Sequence, residues 1–267
     1  MITALDHVAV AVRDVEAAAD AYRRLLGIEP DREDGDGAAR AWFRFPNMAL
    51  EIIGPQGEGG AGDRVRKQLD DNGEGVWLLA YAVADLEAAA KLVERRGVGV
   101  ERIGGHIRLD RATTGGLQMF LRQAAPVRPS PAIAAEPVTQ LDHVVVWTPN
   151  VDRALAIYGA KLGLDLRLDR ENPKWNARQL FFRVGGTVIE MGAKIGVPAT
   201  DEPDRSGGLA WRVADPDAAQ ARMAAAGFDV SEVRTGRKPG TKVFTVRDAP
   251  GGVPTLMLSA EPALETA

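Results

Sequence analysis

Two glutamates stand where a charge is costly. Glu51 lies within Ala49-Leu50-Glu51-Ile52-Ile53, and Glu190 within Thr187-Val188-Ile189-Glu190-Met191. A carboxylate buried among such neighbours is unfavourable unless it is paired, hydrogen-bonded or bound to a cation. Each has a companion histidine, because Leu5-Asp6-His7-Val8 recurs as Leu141-Asp142-His143-Val144. A carboxylate beside an imidazole can abstract or relay a proton, and the same groups can ligate a divalent metal. The third histidine, His106, has no repeat partner and is expected in a turn or at the surface. Other chemistry is sparse. The chain has no cysteine, which excludes disulfides, thiolate zinc sites and cysteine nucleophiles. The stretch GPQGEGGAGD (54–63) lacks the Lys-Ser/Thr ending of a phosphate loop and is expected to be a flexible connection. No histidine follows a nucleophile-elbow motif.

The elements that position these residues come from a duplication. At an offset of 136, ten identities fall within residues 5–27, among them Val10/Val146, Tyr22/Tyr158 and Gly27/Gly163. Beyond a three-residue insertion the offset becomes 139, where Phe43-Arg44 meets Phe182-Arg183 and Glu51 meets Glu190. The copies are two domains, 1–125 and 138–267, joined by an Ala- and Pro-rich linker, 126–137. Each copy holds a finer repeat. Helices are predicted from N-caps Asp14, Asp85, Asn150 and Asp215, each followed two residues later by an acidic side chain. They close on Gly27, Gly97, Gly163 and Gly227, which tolerate the left-handed conformation that ends a helix. A strand-like run precedes each helix and further strands follow it, so the unit is β-α-β-β-β. One unit leaves a sheet face uncovered, and two must pair to bury it. The fold class is therefore α+β, four βαβββ modules making two cup-shaped, mostly antiparallel sheets.

Strand alternation sorts the residues by face. Val8, Val10 and Val12 point one way, under a helix, while His7, Ala9 and Ala11 point the other way, where small side chains open a cavity. Glu51 shares a face with Ala49 and Ile53, His143 with Val145 and Trp147, and Glu190 with Val188.

Composition narrows the partners. The chain has 267 residues, 45% hydrophobic and 26% charged, with a net charge of −4. No basic excess recommends nucleic acid, and no apolar run approaches a membrane span. A cytoplasmic protein, monomer or homodimer, with a small-molecule ligand is expected.

LDHVAVAVRDVEAAADAYRRLLG and LDHVVVWTPNVDRALAIYGAKLG, followed by ALEIIG and TVIEMG, resemble the vicinal oxygen chelate superfamily. Its members include glyoxalase I, bleomycin-resistance proteins, methylmalonyl-CoA epimerase and extradiol dioxygenases. The resemblance implies paired βαβββ modules and, in the metalloenzymes, ligands from the first and last strands. His7, Glu51, His143 and Glu190 are the candidate ligands of a divalent Zn, Ni, Mn, Mg or Fe. Cap alignment puts Leu78 and about Met119 at the matching positions of the second module, and Gly208 and about Met257 in the fourth. None of these completes a ligand set, which disfavours an extradiol dioxygenase and leaves a metal-free protein equally tenable. A fuller set needs the first and third modules to meet, or water and substrate oxygens to join a weak site. The leading expectation is a glyoxalase- or epimerase-like enzyme for a carbonyl or vicinal-oxygen substrate, possessing Glu190 or Glu51 as a base whose pKa apolar walls raise. The alternative is a ligand-sequestering protein of the bleomycin-resistance kind.

The second cup carries more recognition groups. Gly208, Ala210 and Arg212 are expected to face it, against Leu78, Ala80 and Ala82 in the first. Arg212 suits a carboxylate or phosphate, unless it pairs with Glu190 instead. Trp147, Trp175, Arg178, Arg237 and Lys238 add aromatic and basic groups, so an anionic or aromatic ligand is expected.

Overall fold

The computed structural model describes residues 1–237 and 239–259. The first half runs β1 (Ile2–Ala11), α1 (Val15–Leu26), β2 (Asp31–Gly35), β3 (Ala38–Arg44) and β4 (Ala49–Pro55). It continues with α2 (Gly60–Asn72), β5 (Gly75–Val83), α3 (Leu86–Arg95), β6 (Val100–Ile103), β7 (His106–Leu109) and β8 (Gln118–Gln123). The second half repeats this with β9 (Val138–Trp147), α4 (Val151–Ala154, continued as a π-helical segment Leu155–Lys161), β10 (Asp165–Asn172), β11 (Ala177–Val184) and β12 (Thr187–Lys194). Then come β13 (Arg205–Val213), α5 (Pro216–Ala225), β14 (Arg234–Thr235), β15 (Lys242–Val246) and β16 (Thr255–Ser259).

The strands form two eight-stranded sheets, ordered β2-β3-β4-β1-β5-β8-β7-β6 and β10-β11-β12-β9-β13-β16-β15-β14. The orders are the same after a shift of eight strands, so modules pair within each half, first with second and third with fourth. β1 joins its two modules, running parallel to β4 and antiparallel to β5, and β9 does the same between β12 and β13. No helix among the described residues is long and apolar enough to cross a membrane.

All four expected N-caps are in place. Asp14, Asp85, Asn150 and Asp215 each accept a hydrogen bond from a first-turn backbone N–H. The valine face of β1 and its counterparts pack beneath these helices in one core that spans both halves. Within it Phe45 of the first half meets Trp211 of the second at 5.0 Å between ring centroids.

A fifth helix corrects the expected flexible connection. GPQGEGGAGD leads into α2, whose start is fixed from outside the segment: the Asp36 carboxylate accepts from the N–H groups of Gly60 and Ala61, at 2.7 and 2.8 Å. A Cβ at Gly62 would lie 1.9 Å from the Gly37 carbonyl oxygen, so only glycine lets the helix approach that turn. Ala61, Val65 and Leu69, at helical spacing, pack onto Ala9, Ala11, Ile53, Leu78 and Ala80. The small residues on the cup face of β1 thus make room for a helix of the chain itself, which covers the Ala9–Ala11 end of the first cup. Leu69→Ala should cost about 2–5 kcal/mol, because the helix cannot sink into an already packed floor; urea unfolding checks this.

His106 also departs from expectation. It opens β7 just after the Gly104-Gly105 turn and sits half-buried, its ring tilted against Phe120 at 6.4 Å.

Candidate functional site

The histidine strands carry a local irregularity with a chemical consequence. His143 pairs with Ala210 and Leu141 with Trp211, so Asp142 is an extra residue in β9. The same bulge leaves Asp6 unpaired between Leu5 and His7 in β1. A bulge redirects a side chain that alternation would send to the other face. Neighbouring Asp and His therefore meet: Asp142 Oδ1 lies 2.7 Å from His143 Nδ1, and Asp6 Oδ2 2.6 Å from His7 Nδ1.

In each half the opposite ring nitrogen faces the glutamate, Nε2 of His143 at 3.3 Å from Glu190 Oε2 and Nε2 of His7 at 3.5 Å from Glu51 Oε2. An ionised Asp142 can only accept, which puts the Nδ1 proton on the imidazole. Burial works against the Asp142 charge, yet the hydrogen bond from His143 and the Arg212 guanidinium hold its carboxyl below the usual carboxylate range. Nε2 is then the ring nitrogen turned toward Oε2.

The low Asp142 pKa has a consequence for stability. A carboxyl whose folded pKa lies below its unfolded value contributes stability that is fully present above the unfolded value and lost as pH falls through the folded one. Asp142→Asn should be less stable than the parent at neutral pH and show a shallower decline in acid; urea midpoints from neutral to strongly acidic pH test both.

The two pairs differ in surroundings. Around Glu51, the His7 and Glu51 side chains are 6% and 8% exposed, and Arg40 Nε lies 3.1 Å from Glu51 Oε1. Trp42 stands edge-on to the His7 ring at 5.2 Å. Burial pushes the Glu51 carboxyl up, against the opposing pull of His7 and Arg40. In the second half the His143 and Glu190 side chains are 16% and 13% exposed. Glu190 Oε1 accepts from Gln179 Nε2 at 2.6 Å, while Arg170 donates to Gln179 Oε1 at 3.0 and 3.2 Å and so fixes the amide orientation. Among the described residues no helix covers this cup; residues 195–204 link β12 to β13 without one.

The expected recognition groups are placed as follows. Trp147, half exposed, lies at the end of β9 and lines a cavity of about 530 Å³ together with Arg178, Gly192 and Arg205. Neither His143 nor Glu190 lines that cavity. Arg178 makes two bonds to Asp169, at 2.9 and 2.7 Å. Trp175 lies in the turn between β10 and β11, with the Arg237 guanidinium 3.8 Å over its ring. Arg212 does not pair with Glu190: its Nε donates to Asp142 Oδ2, behind the histidine. Lys238 lies outside the described residues. A cavity of about 700 Å³ in the first half is bounded by Asp6, Trp42, Arg44, Arg122 and residues 125–131, again without reaching the His–Glu pair. Volume therefore does not choose between the cups; exposure of the pair does.

Register also corrects the matching positions for ligands. Glu51 pairs with Ala9, and the corresponding Ala80 pairs with Phe120; Glu190 pairs with Val145, and the corresponding Ala210 pairs with Leu256. Phe120 and Leu256, rather than Met119 and Met257, are thus the equivalents, and both methionines lie in the opposite, helix-covered core. With Leu78 and Gly208 unchanged, each cup has two donors, one imidazole and one carboxylate. Among the described residues no group of three or more His, Cys, Asp or Glu side chains is placed to hold a metal. These donors do not complete the ligand set of a Zn, Ni or Fe centre.

Asp142, Gln179 and Arg170 are the site residues that the sequence reading missed. The Asp was visible in the repeated LDHV, and Gln179 as the residue aligned with Arg40 at the offset of 139.

The family described as Glyoxalase/Bleomycin resistance protein/Dioxygenase superfamily matches residues 6–115 and 142–245. The chain is 36% identical over 115 residues to a protein of Cereibacter sphaeroides named Ethylmalonyl-CoA/methylmalonyl-CoA epimerase, covering 40% of this chain and 84% of that one. In structure it is similar to a mutant of 4-hydroxymandelate synthase from Streptomyces coelicolor, with a TM-score of 0.76, 15% identity and coverage of 98% and 94%. It is also similar to BphC, a halotolerant catechol dioxygenase, with a TM-score of 0.72, 12% identity and coverage of 99% and 90%. At those identities the likeness is one of fold.

Proposed function

Given that the chain belongs to the glyoxalase/bleomycin resistance protein/dioxygenase superfamily, we propose that its second cup is the active site of a small-molecule enzyme that moves a proton next to a carbonyl. The observation that carries this reading is the His143–Glu190 contact, 3.3 Å long, whose side chains are 16% and 13% exposed where those of the duplicate pair are 6% and 8% exposed. In this reading Glu190 acts as the carboxylate, with the His143 imidazole beside it. Oε2 can then remove a proton from a carbon beside a substrate carbonyl, leaving the bonding electrons in the enolate. Returning a proton to that carbon completes an isomerisation or epimerisation. Gln179 holds Oε1 and so aims Oε2, while Asp142 fixes the tautomer of His143 and Arg212 fixes Asp142. No step is routed through a metal, because two donors do not make its site. The name of the Cereibacter relative favours an acyl thioester with an acidic α-hydrogen as the substrate class.

The test is incubation in D₂O with a panel of 2-carboxyacyl thioesters and α-hydroxy carbonyl compounds, followed by mass spectrometry. Incorporation of deuterium at the α-carbon is expected for at least one compound; no incorporation into any of them contradicts the reading. A second reading, ligand sequestration, is favoured by the exposed indoles of Trp147 and Trp175. It predicts saturable binding with no exchange. Either reading predicts one ligand per chain, since the His7–Glu51 pair is the more deeply buried one and α2 covers part of its cup; calorimetric stoichiometry near two would contradict this.

A further inference from the structure

The duplicated cups differ at one position that changes what their glutamates need. Arg40 and Gln179 align at the offset of 139 and occupy matching places on β3 and β11, each bound to its glutamate's Oε1. In the first cup the arginine is 14% exposed and is also held by the carbonyls of Gly35 and Ala38. Its charge is built into the sheet and spent on Glu51. In the second cup the sheet supplies only a neutral amide. The cation comes instead from the connection between β14 and β15, where Arg237 Nη1 stands 4.0 Å from Glu190 Oε1, beyond hydrogen-bond distance.

We propose that Arg237, lying on Trp175 beside Glu190, is the specificity-determining anchor for a carboxylate group of the substrate. This rests on the second cup being the working site. Three observations converge on it. The guanidinium carbon stands 3.8 Å over the indole, a cation–π contact that uses none of its N–H donors and leaves them for a carboxylate. Its side chain is 56% exposed, and among the described residues Glu190 is the one carboxylate within 4.0 Å. Three other arginines of this cup already have partners: Arg212 has Asp142, Arg178 has Asp169 and Arg170 has Gln179. A neutral Gln179 in place of a buried arginine leaves the charge requirement of the site to be met at its mouth, where a ligand can reach it. The substrate class is then a carbonyl compound that carries a separate carboxylate.

Malonate is the probe, with neutral malonamide as its control, and both are titrated calorimetrically into the full chain. Malonate is expected to bind at one site, and Arg237→Ala to weaken it at least tenfold while leaving malonamide unaffected. Arg237→Lys should recover only part of the affinity, since an ammonium keeps the charge but not the planar fork. Trp175→Leu should weaken malonate by a smaller factor. Absence of saturable malonate binding to the parent, or equal affinities in the parent and Arg237→Ala, would overturn the anchor. In the deuterium assay Arg237→Ala should raise KM for a 2-carboxyacyl thioester with little change in kcat, and leave the analogue lacking the carboxylate unchanged. Loss of kcat at constant KM would also overturn it. Malonate binding that depends on Arg237 without any deuterium exchange would instead uphold the anchor and overturn the proton-transfer reading.

Discussion

Glu190→Gln should lower α-carbon deuterium exchange by about 10²–10⁴-fold, the range of a positioned general base. The glutamine still accepts from Gln179 and still fills the space, so the cup remains formed; what is lost is the carboxylate that receives the proton. Glu51→Gln is the matched control. Its pair is a duplicate with a similar contact, 3.5 Å against 3.3 Å, yet Trp42 and Arg40 enclose it and α2 covers the cup beyond. Exchange by Glu51→Gln should equal that of the parent. Mass-spectrometric exchange rates on the two variants, prepared alongside, decide the matter, and equal losses in both would mean that the cups were assigned wrongly.

The second large effect is on stability. Trp211 is fully buried and packs against Phe45, so its side chain belongs to the core of both halves at once. Trp211→Ala should cost about 3–5 kcal/mol, from lost transfer energy and the cavity left behind. Its Nε1 has no hydrogen-bond partner among the described residues, so truncation orphans no acceptor and the loss is one of packing. Because the core is continuous across the halves, urea unfolding followed by circular dichroism should remain a single transition at a lower midpoint. Two separated transitions in the parent would contradict a shared core.

The parts legible in the sequence are those set by local rules. An Asp or Asn cap, an acidic first turn and a closing glycine act within a few residues, and all four helices begin where those signals stand. Alternation placed Val8, Val10 and Val12 beneath a helix and His7, Ala9 and Ala11 on the cup face, as the packing has it. What escaped depends on distant partners. The start of α2 is capped by Asp36, twenty-four residues before Gly60, so the segment's own glycines suggested a flexible connection. Its Ala61-Val65-Leu69 stripe was a weaker signal than those glycines. The Asp142 bulge breaks the alternation rule that predicts opposite faces for neighbours, and only the pairing with β13 reveals it. Counting from the helix caps fell one residue short at Met119 and ran one residue over at Met257, because a cap fixes the helix and not the register of the last strand. Arg212 was correctly placed on the cup side, but its partner depended on where the bulge turned Asp142.

The chain has three histidines, one in each His–Glu pair and a third, His106, beside Phe120. Imidazole NMR can therefore watch both cups in one sample. The signals are to be assigned by His7→Gln, His106→Gln and His143→Gln, and the parent titrated with the carbonyl compound that exchanges deuterium fastest. The His143 signals should shift with saturation at one equivalent while those of His7 stay in place. Movement of His7 with His143 unchanged would contradict the assignment of the second cup as the working site.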